Sequence, residues 1–205
     1  MKLKFCGIRR KEDIDYINIV KPDYIGFVFA DSKRFISPDD ARCLIKKTNP
    51  EIKKAGVFVN ESLSGIVNAV KTSGIEIIQL HGDEDADYIN SLRNLTDCEI
   101  WKAVRVKKTE DILKSEKIGA DMLLLDSFSE AQYGGTGKTA DWNIIKSSGI
   151  SSPFFLAGGI NENNIQEAIS SVSPFGIDIS GGIETNGYKD INKMKKIIDL
   201  IERND

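Results

Sequence analysis

Short apolar segments rich in Val, Ile and Phe recur along the chain, and each is followed by a stretch whose apolar residues repeat every three or four positions. The first pattern is typical of parallel strands buried on both faces, and the second of helices with one buried stripe. Eight such strand and helix pairs follow one another. The predicted strands cover residues 3–8, 24–29, 54–59, 77–81, 100–106, 122–127, 154–159 and 176–181.

Several predicted helices carry residues that favour a helix end. Ser37 can cap a helix amino terminus, and Pro38 suits the first helical position because its φ angle is already helical and its missing N–H is not needed there. An apolar stripe that begins at Leu63 stops at Gly74, a residue type that often ends a helix. The same reasoning predicts helices that begin at Thr109 and near Asp141, and a last helix along residues 191–201.

The regular alternation predicts a single α/β domain over residues 1–205, a closed (β/α)8 TIM barrel in which each crossover packs a helix on the outside. Predicted strand starts lie 21 to 32 residues apart, and no linker rich in Pro, Gly or Ser divides the chain. A doubly wound sheet of fewer strands is the structural alternative. The connection at 127–139 is long, and loops of that length in compact domains are usually functional.

Composition narrows the possible partners and the compartment. The 205 residues contain 28 Lys and Arg against 31 Asp and Glu, a net charge of −3 without a basic block, so we expect no nucleic-acid partner. No apolar run approaches the roughly 20 residues that cross a bilayer, so we expect no membrane span and no secretion signal. Three cysteines without metal-ligand spacing suggest reduced thiols, a cytoplasmic protein and no metal site.

Two titratable groups lie where predicted strands end, which is where barrels gather functional side chains. Cys6 lies near the end of the first strand and Asp126 near the end of the sixth. A lone strand cysteine is more often a small buried apolar residue, and Asp126 alone could cap a helix or pair with a cation. Facing each other across a pocket, a thiol and a carboxylate instead suit a base and an acid that act on one small substrate.

Glycine pairs follow the last two strands, Gly158-Gly159 after the seventh and Gly181-Gly182, preceded by Ser180, after the eighth. Glycine lets backbone N–H groups approach an anion, and the loops after these two strands are the usual phosphate site of barrels. Tight turns are the alternative explanation for either pair alone. A further cluster at 134–137 could close over the same ligand or be only a connection.

Other charged side chains of the predicted rim have two interpretations each. His81, the only histidine, is a structural residue or a substrate contact. Arg34 is a surface charge or a bidentate partner for a substrate carboxylate. Lys4 shares the strand parity of Cys6, so it should point into the barrel and need a partner there, for which Asp178 has the right parity. We hypothesise that the Lys4 charge also favours the Cys6 thiolate.

Taken in chain order, these residues resemble the phosphoribosylanthranilate isomerases of tryptophan biosynthesis over nearly the whole chain. The matching segments are KFCGIR at 4–9, SKRFISP at 32–38, QLHGDE at 79–84, LDS at 125–127 with GGTG at 134–137, LAGGIN at 156–161 and DISGGIE at 178–184. Each segment is weakly specific, whereas six in order are strongly so.

The resemblance implies a cofactor-free Amadori rearrangement of N-(5′-phosphoribosyl)anthranilate. In such an enzyme Asp126 is the general acid that protonates the ribose ring oxygen, and the Cys6 thiolate is the general base that removes the proton from C2′. Arg34 corresponds to the residue expected to hold the anthranilate carboxylate. His81 stays a candidate substrate contact because of its rim position. The phosphate site corresponds to Gly158, Gly159, Ser180, Gly181 and Gly182.

One departure bears on the phosphate site, because family members commonly carry a second serine where this chain has Gly181. The expected partner is the small-molecule substrate, and the expected assembly is a monomer or a homodimer. A non-catalytic phosphosugar-binding barrel is the alternative function, although it would leave the joint presence of Cys6 and Asp126 unexplained. A thiol redox protein is a weaker one, because a resolving cysteine near Cys6 is lacking.

Overall fold

Eight parallel strands close into a barrel in chain order, with β1 paired to both β2 and β8. The computed structural model describes residues 1–126 and 142–202. The predicted TIM barrel is therefore confirmed, and the doubly wound sheet was the wrong alternative. The strands are β1 (Lys2–Cys6), β2 (Tyr24–Val28), β3 (Lys53–Phe58), β4 (Ile77–Leu80), β5 (Glu99–Arg105), β6 (Met122–Asp126), β7 (Phe154–Ala157) and β8 (Gly176–Ile179).

All eight observed strands end one or two residues before the predicted ends, because the chain turns at the rim. After β1, the N–H groups of Gly7 and Ile8 both donate to the carbonyl oxygen of Gly26 at 2.9 Å, which breaks the regular ladder. The apolar pattern continues through this turn because Ile8 is still buried. Residues 127–141, which include the predicted long connection and its glycine cluster at 134–137, lie outside the described residues.

Helices follow the strands as predicted, and their ends carry the expected groups. The Ser37 hydroxyl accepts from the Asp40 N–H at 3.1 Å, and Gly74 ends its helix at a φ of 79°. The helix predicted near Asp141 begins at Asn143. The helices are α1 (Lys11–Val20), α2 (Pro38–Ile45), α3 (Leu63–Ser73), α4 (Ala86–Arg93), α5 (Thr109–Ser115), α6 (Asn143–Ser148), α7 (Ile165–Val172) and α8 (Ile191–Glu202).

Apolar side chains fill two separate regions, one between the strands and the helices and one inside the barrel. In the interior, the rings of Trp101 and Phe155 stack with centroids 4.9 Å apart, and Tyr24 meets Trp101 edge-on at 5.1 Å. These aromatic residues lie near the amino ends of their strands, so they plug that end of the barrel. The carboxyl end is left for polar side chains. Among the described residues, no helix is long and apolar enough to span a membrane.

A short antiparallel hairpin, which the sequence patterns above did not predict, separates β8 from α8. Its strands are β9 (Glu184–Thr185) and β10 (Tyr188–Lys189). Asn186 and Gly187 form the turn with φ angles of 53° and 78°. Asn-Gly is the strongest local signal for a two-residue hairpin turn, so the signal was present in the sequence. The register sets Glu184 opposite Lys189.

Candidate active site

A cavity of about 820 Å³ opens at the carboxyl ends of the strands. Such a pocket is large enough for a substrate with a sugar, a phosphate and an aromatic ring. Every predicted site residue contributes to its lining, so the structure brings together groups that are up to 176 positions apart in the chain. These residues are Cys6, Arg34, His81, Asp126, Gly158, Gly159, Ser180, Gly181 and Gly182.

The Cys6 thiol is almost fully buried against the backbone of the neighbouring strand. A Cβ atom built at Gly26 would lie 2.6 Å from Cys6 Sγ and 3.3 Å from Lys4 Nζ. Only glycine at this position of β2 leaves room for both groups. Burial raises the pKa of the Cys6 thiol, and the charge of Lys4 is the largest influence that opposes the rise. Burial thus disfavours the thiolate, and the lysine beside it favours it.

Lys4 has no exposed surface, and its Nζ lies 3.0 Å from Asp178 Oδ1. The predicted partnership of these two residues is confirmed. Burial alone would lower the pKa of Lys4, but the negative charges of Asp178 and Cys6 raise it overall. A fully buried positive charge therefore lies beside the thiol.

Asp126 lies beside His81 at the pocket wall. His81 Nε2 is 3.4 Å from Asp126 Oδ2, and both side chains are about one quarter exposed, at 25% and 22%. The amide nitrogen of Gln79 lies 3.3 Å from His81 Nδ1. When that amide donates, the neutral ring carries its proton on Nε2 and directs it at the carboxylate. The histidine thus neighbours the predicted acid.

Arg34 lines the pocket but already has a carboxylate partner. Its Nε and Nη2 donate to the two oxygens of Glu184 at 2.7 and 2.8 Å. Lys189 Nζ donates to the same carboxylate at 2.9 Å. Burial alone would raise the pKa of Glu184, but the hydrogen bonds from Arg34 and Lys189 hold it at about 2. Sequence reasoning assigned no role to Glu184, although it ends the matching segment at 178–184, and it missed Lys189, whose local signal was the hairpin turn at 186–187.

The glycine loops after β7 and β8 approach each other closely. Gly158 and Gly159 have φ angles of 94° and 68°, which residues other than glycine rarely adopt. A Cβ at Gly182 would overlap the carbonyl oxygen of Ile160, so this glycine is required by the contact between the two loops. The Ser180 hydroxyl donates to the Cys6 carbonyl at 3.0 Å, which ties the second loop to β1.

Comparison with known proteins identifies the family. The sequence profile of the family described as N-(5'phosphoribosyl)anthranilate (PRA) isomerase matches residues 3–200. The chain belongs to this family. An N-(5'-phosphoribosyl)anthranilate isomerase of Thermoanaerobacter sp. (strain X514) is 46% identical over 201 residues, 98% of each chain.

Solved phosphoribosylanthranilate isomerases share the fold over almost their whole length. The enzyme from Thermotoga maritima aligns with a TM-score of 0.88 and 33% identity, covering 99% of both chains. A second structure of the family, in complex with reduced 1-(o-carboxyphenylamino)-1-deoxyribulose 5-phosphate, aligns with a TM-score of 0.85 and 31% identity, again over 99% of both chains. The protein is thus an isomerase of tryptophan biosynthesis, and the non-catalytic barrel is the weaker hypothesis.

Gly181 stands where the resemblance to the phosphoribosylanthranilate isomerase family leads us to expect a second serine. A Cβ there would lie 3.4 Å from Arg34 Nη2, an ordinary contact distance, so the local space does not demand glycine. The three cysteines, Cys6, Cys43 and Cys98, form no disulfide. Within residues 1–126 and 142–202, no group of three or more His, Cys, Asp or Glu side chains is arranged to hold a metal ion.

Proposed function

We propose that this protein converts N-(5′-phosphoribosyl)anthranilate into 1-(2-carboxyphenylamino)-1-deoxyribulose 5-phosphate without a cofactor, with Asp126 as general acid and Cys6 as general base. The observation that carries the proposal is that a thiol from β1 and a carboxylate from β6 line the same pocket as two glycine loops and an arginine. The ligand in the related structure is a reduced form of the proposed product, which supports the substrate class.

In the first step, Asp126 gives its proton to the ribose ring oxygen. The bond between C1′ and that oxygen breaks, and the lone pair of the anthranilate nitrogen forms the C1′=N bond of a protonated Schiff base. The acid is left as a carboxylate. His81 Nε2, 3.4 Å away, stabilises that negative charge by directing its N–H at it.

In the second step, the Cys6 thiolate takes the proton from C2′. The electron pair of that C–H bond forms a C1′=C2′ double bond, and the C1′=N electrons return to nitrogen, which gives a neutral enolamine. Tautomerisation then moves a proton to C1′ and leaves the ketone at C2′, so substrate and product are isomers. The positive Schiff base makes the C2′ proton more acidic. The proton can therefore be removed although burial raises the pKa of the Cys6 thiol and so disfavours the thiolate.

Lys4 supports the base in this scheme. Its buried ammonium group is the largest influence that lowers the pKa of Cys6, and its own positive charge is maintained by Asp178. The lysine does not reach the substrate, because Lys4 does not line the pocket. We therefore assign it the role of a positioning residue that stabilises the thiolate.

Substrate binding in this proposal uses both ends of the pocket. Backbone N–H groups of the loops at Gly158-Gly159 and Ser180-Gly181-Gly182 bind the phosphate, as neutral donors close to an anion do. Arg34 binds the anthranilate carboxylate. Because Glu184 occupies the Nε and Nη2 edge, the carboxylate meets the edge that includes Nη1.

The test follows the fluorescence of freshly prepared phosphoribosylanthranilate, which is lost on turnover. We expect Cys6→Ser and Asp126→Asn to lower kcat by about 10²- to 10⁴-fold, the usual contribution of a general base or acid. Cys43→Ser, which changes an exposed thiol outside the pocket, is the matched control and should retain full activity. Absence of turnover by the unmodified protein would refute the function, and full activity of both pocket variants would refute the roles.

For the compartment we propose the cytoplasm. All three thiols are free, which fits the predicted reducing cytoplasm. The expected monomer or homodimer stays a prediction that size-exclusion chromatography with light scattering would check.

A further inference from the structure

The β9–β10 hairpin places two charged side chains against residues that line the pocket. Glu184 and Lys189 are direct partners across the hairpin, and their side chains are only 8% and 2% exposed. Burial of two charges costs free energy unless each is paired and hydrogen-bonded. A hairpin of four strand residues that buries an ion pair contributes little apolar packing in return, so the pair needs an explanation beyond folding.

Arg34 supplies the third charge of this cluster. Glu184 holds the Nε and Nη2 edge of the guanidinium with both carboxylate oxygens, which is the geometry that fixes an arginine most firmly. A Cβ at Gly7 would lie 2.5 Å from Arg34 Cδ, so the arginine stem lies directly on the backbone after β1. Among the described residues, Nη1 has no hydrogen-bond partner, and Arg34 lines the pocket.

The charges of the cluster add up to the complement of a carboxylate. Arg34 and Glu184 alone would be neutral and would attract an anion weakly. Lys189 adds one positive charge, bonded to Glu184 at 2.9 Å and to the Ser180 carbonyl oxygen at 3.0 Å. Burial lowers the pKa of Lys189, and the hydrogen bond to Glu184 is the largest influence that opposes the fall. The three side chains together carry a net charge of plus one, and Lys193, which lines the pocket and donates to the Glu184 carbonyl oxygen at 2.6 Å, adds a further positive charge, so the region attracts a carboxylate.

We propose that Glu184 and Lys189 are positioning residues for substrate specificity, which orient Arg34 and keep the cluster positive so that it selects substrates carrying an aromatic carboxylate. The inference rests on the proposed function, and it adds two residues that act through Arg34. Glu184 sets the direction in which the free guanidinium edge points. Lys189 offsets the negative charge of Glu184, which would otherwise neutralise the positive charge of Arg34.

The chemistry offers a substrate pair that isolates this role. N-(5′-phosphoribosyl)anthranilate and N-(5′-phosphoribosyl)aniline differ only in the carboxylate, while the ribose, the phosphate and the reacting carbon atoms are the same. A residue that acts on the carboxylate changes kcat/KM for the first compound alone. A residue that merely supports the fold changes kcat/KM for both compounds by the same factor.

The experiment measures kcat/KM for both compounds with the unmodified protein, Glu184→Gln and Lys189→Met. We expect each variant to lose about 10- to 100-fold with the anthranilate compound, mainly through KM, since hydrogen bonds to charged groups have about that value. The aniline compound should change by less than about threefold, well below the value of such a bond. Glu99→Gln, which removes an exposed partner of Lys53 at the opposite end of the barrel, is the matched control and should change neither.

The outcomes are distinguishable. Equal losses with both compounds, or no loss with either, would overturn the positioning role while leaving the proposed function intact. No turnover of the anthranilate compound by the unmodified protein would instead refute the proposed function. If Glu184→Gln fails to fold, Lys189→Met decides, because it leaves the two hydrogen bonds between Arg34 and Glu184 in place. It removes the compensating charge and the bond from Lys189 to the Ser180 carbonyl oxygen, and a loss that came only from that second bond would affect the phosphate site and hence both compounds equally.

Discussion

The buried charge of Lys4 beside Cys6 leads to a prediction about the pH dependence of catalysis. Replacing Lys4 with Met keeps the length and apolar stem of the side chain and removes its charge. The thiolate then loses its nearest positive neighbour while the negative charge of Asp178 remains. We therefore expect Lys4→Met to raise the pKa of Cys6 further and to lower activity at every pH below it.

The size of the effect follows from the geometry around Gly26. The Cβ of an alanine there would lie 2.6 Å from Cys6 Sγ and 3.3 Å from Lys4 Nζ, so the thiol and the ammonium are at most about 5.9 Å apart. Two unit charges at that distance interact with about 3 kcal/mol at an effective dielectric constant of 20. That energy corresponds to a factor of about 100 in the thiolate fraction, and in kcat/KM at neutral pH.

The assay records kcat/KM against pH for the unmodified protein, Lys4→Met and Asp178→Asn. Because burial raises the pKa of Cys6, activity of the unmodified protein should increase with pH through the neutral range. Lys4→Met should move the rising limb to higher pH. Asp178→Asn should move it to lower pH, because Asp178 raises the pKa of the thiol, and the charge of the Cys6 thiolate itself still raises the pKa of Lys4 in this variant. Alkylation of Cys6 against pH, with Cys43 and Cys98 replaced by Ser, reports the same shifts without substrate.

The opposite signs distinguish an electrostatic role from a structural one. Loss of either partner leaves a buried charge unpaired, and both variants are expected to be less stable. A purely structural role would lower activity in both variants without moving the pH profile. Unchanged profiles in both, or shifts of the same sign, would refute the charge coupling between Lys4 and Cys6.

Three further predictions follow from the described contacts. Gly26→Ala should lower kcat by about 100-fold, because the added methyl group displaces the thiol, and a displacement of about 1 Å costs that much; full activity in the fluorescence assay would contradict this. Lys102→Met should lower the free energy of unfolding by about 3 kcal/mol in urea titrations. Lys102 contacts Glu84 at 2.9 Å, so its loss leaves the buried carboxylate of Glu84 without a cation. The double variant with Glu84→Gln is the control and should recover stability. The stabilisation from Glu184 is fully present above its ordinary pKa of 4.5 and is lost as the pH falls towards about 2, because the pKa is lowered in the folded protein. In urea titrations across this range, Glu184→Gln should lack this part of the pH dependence of the free energy of unfolding.

Local pattern was sufficient to predict the eight strands and the helix ends. Strand periodicity even assigned Lys4 and Asp178 to the same interior, because side chains two residues apart share a face whatever the fold. The helix caps at Ser37 and Gly74 were predictable for the same reason, since each depends on a few neighbouring residues. The rim positions of Cys6 and Asp126 followed once the barrel was assumed.

Roles that depend on contacts between distant segments were not predictable in this way. Gly182 was expected to bind phosphate through its backbone, whereas its packing against the Ile160 carbonyl oxygen supplies a separate reason for glycine. His81 was expected to contact substrate and lies beside Asp126. Arg34 was expected to be a surface charge or to bind a substrate carboxylate. Glu184, 150 residues away, already binds one edge of its guanidinium.

The sequence by itself determined the barrel, the order of its elements and the rim on which the chemistry lies, because periodicity and capping are properties of neighbouring residues. Only the tertiary structure decided which charges meet. The pairing of Lys4 with the thiol across the space left by Gly26, and the cluster of Arg34, Glu184 and Lys189, arise because barrel closure brings β1, β2 and the segment after β8 together. Electrostatic interactions depend on the distance between charges and on their burial, and neither quantity follows from the order of the residues.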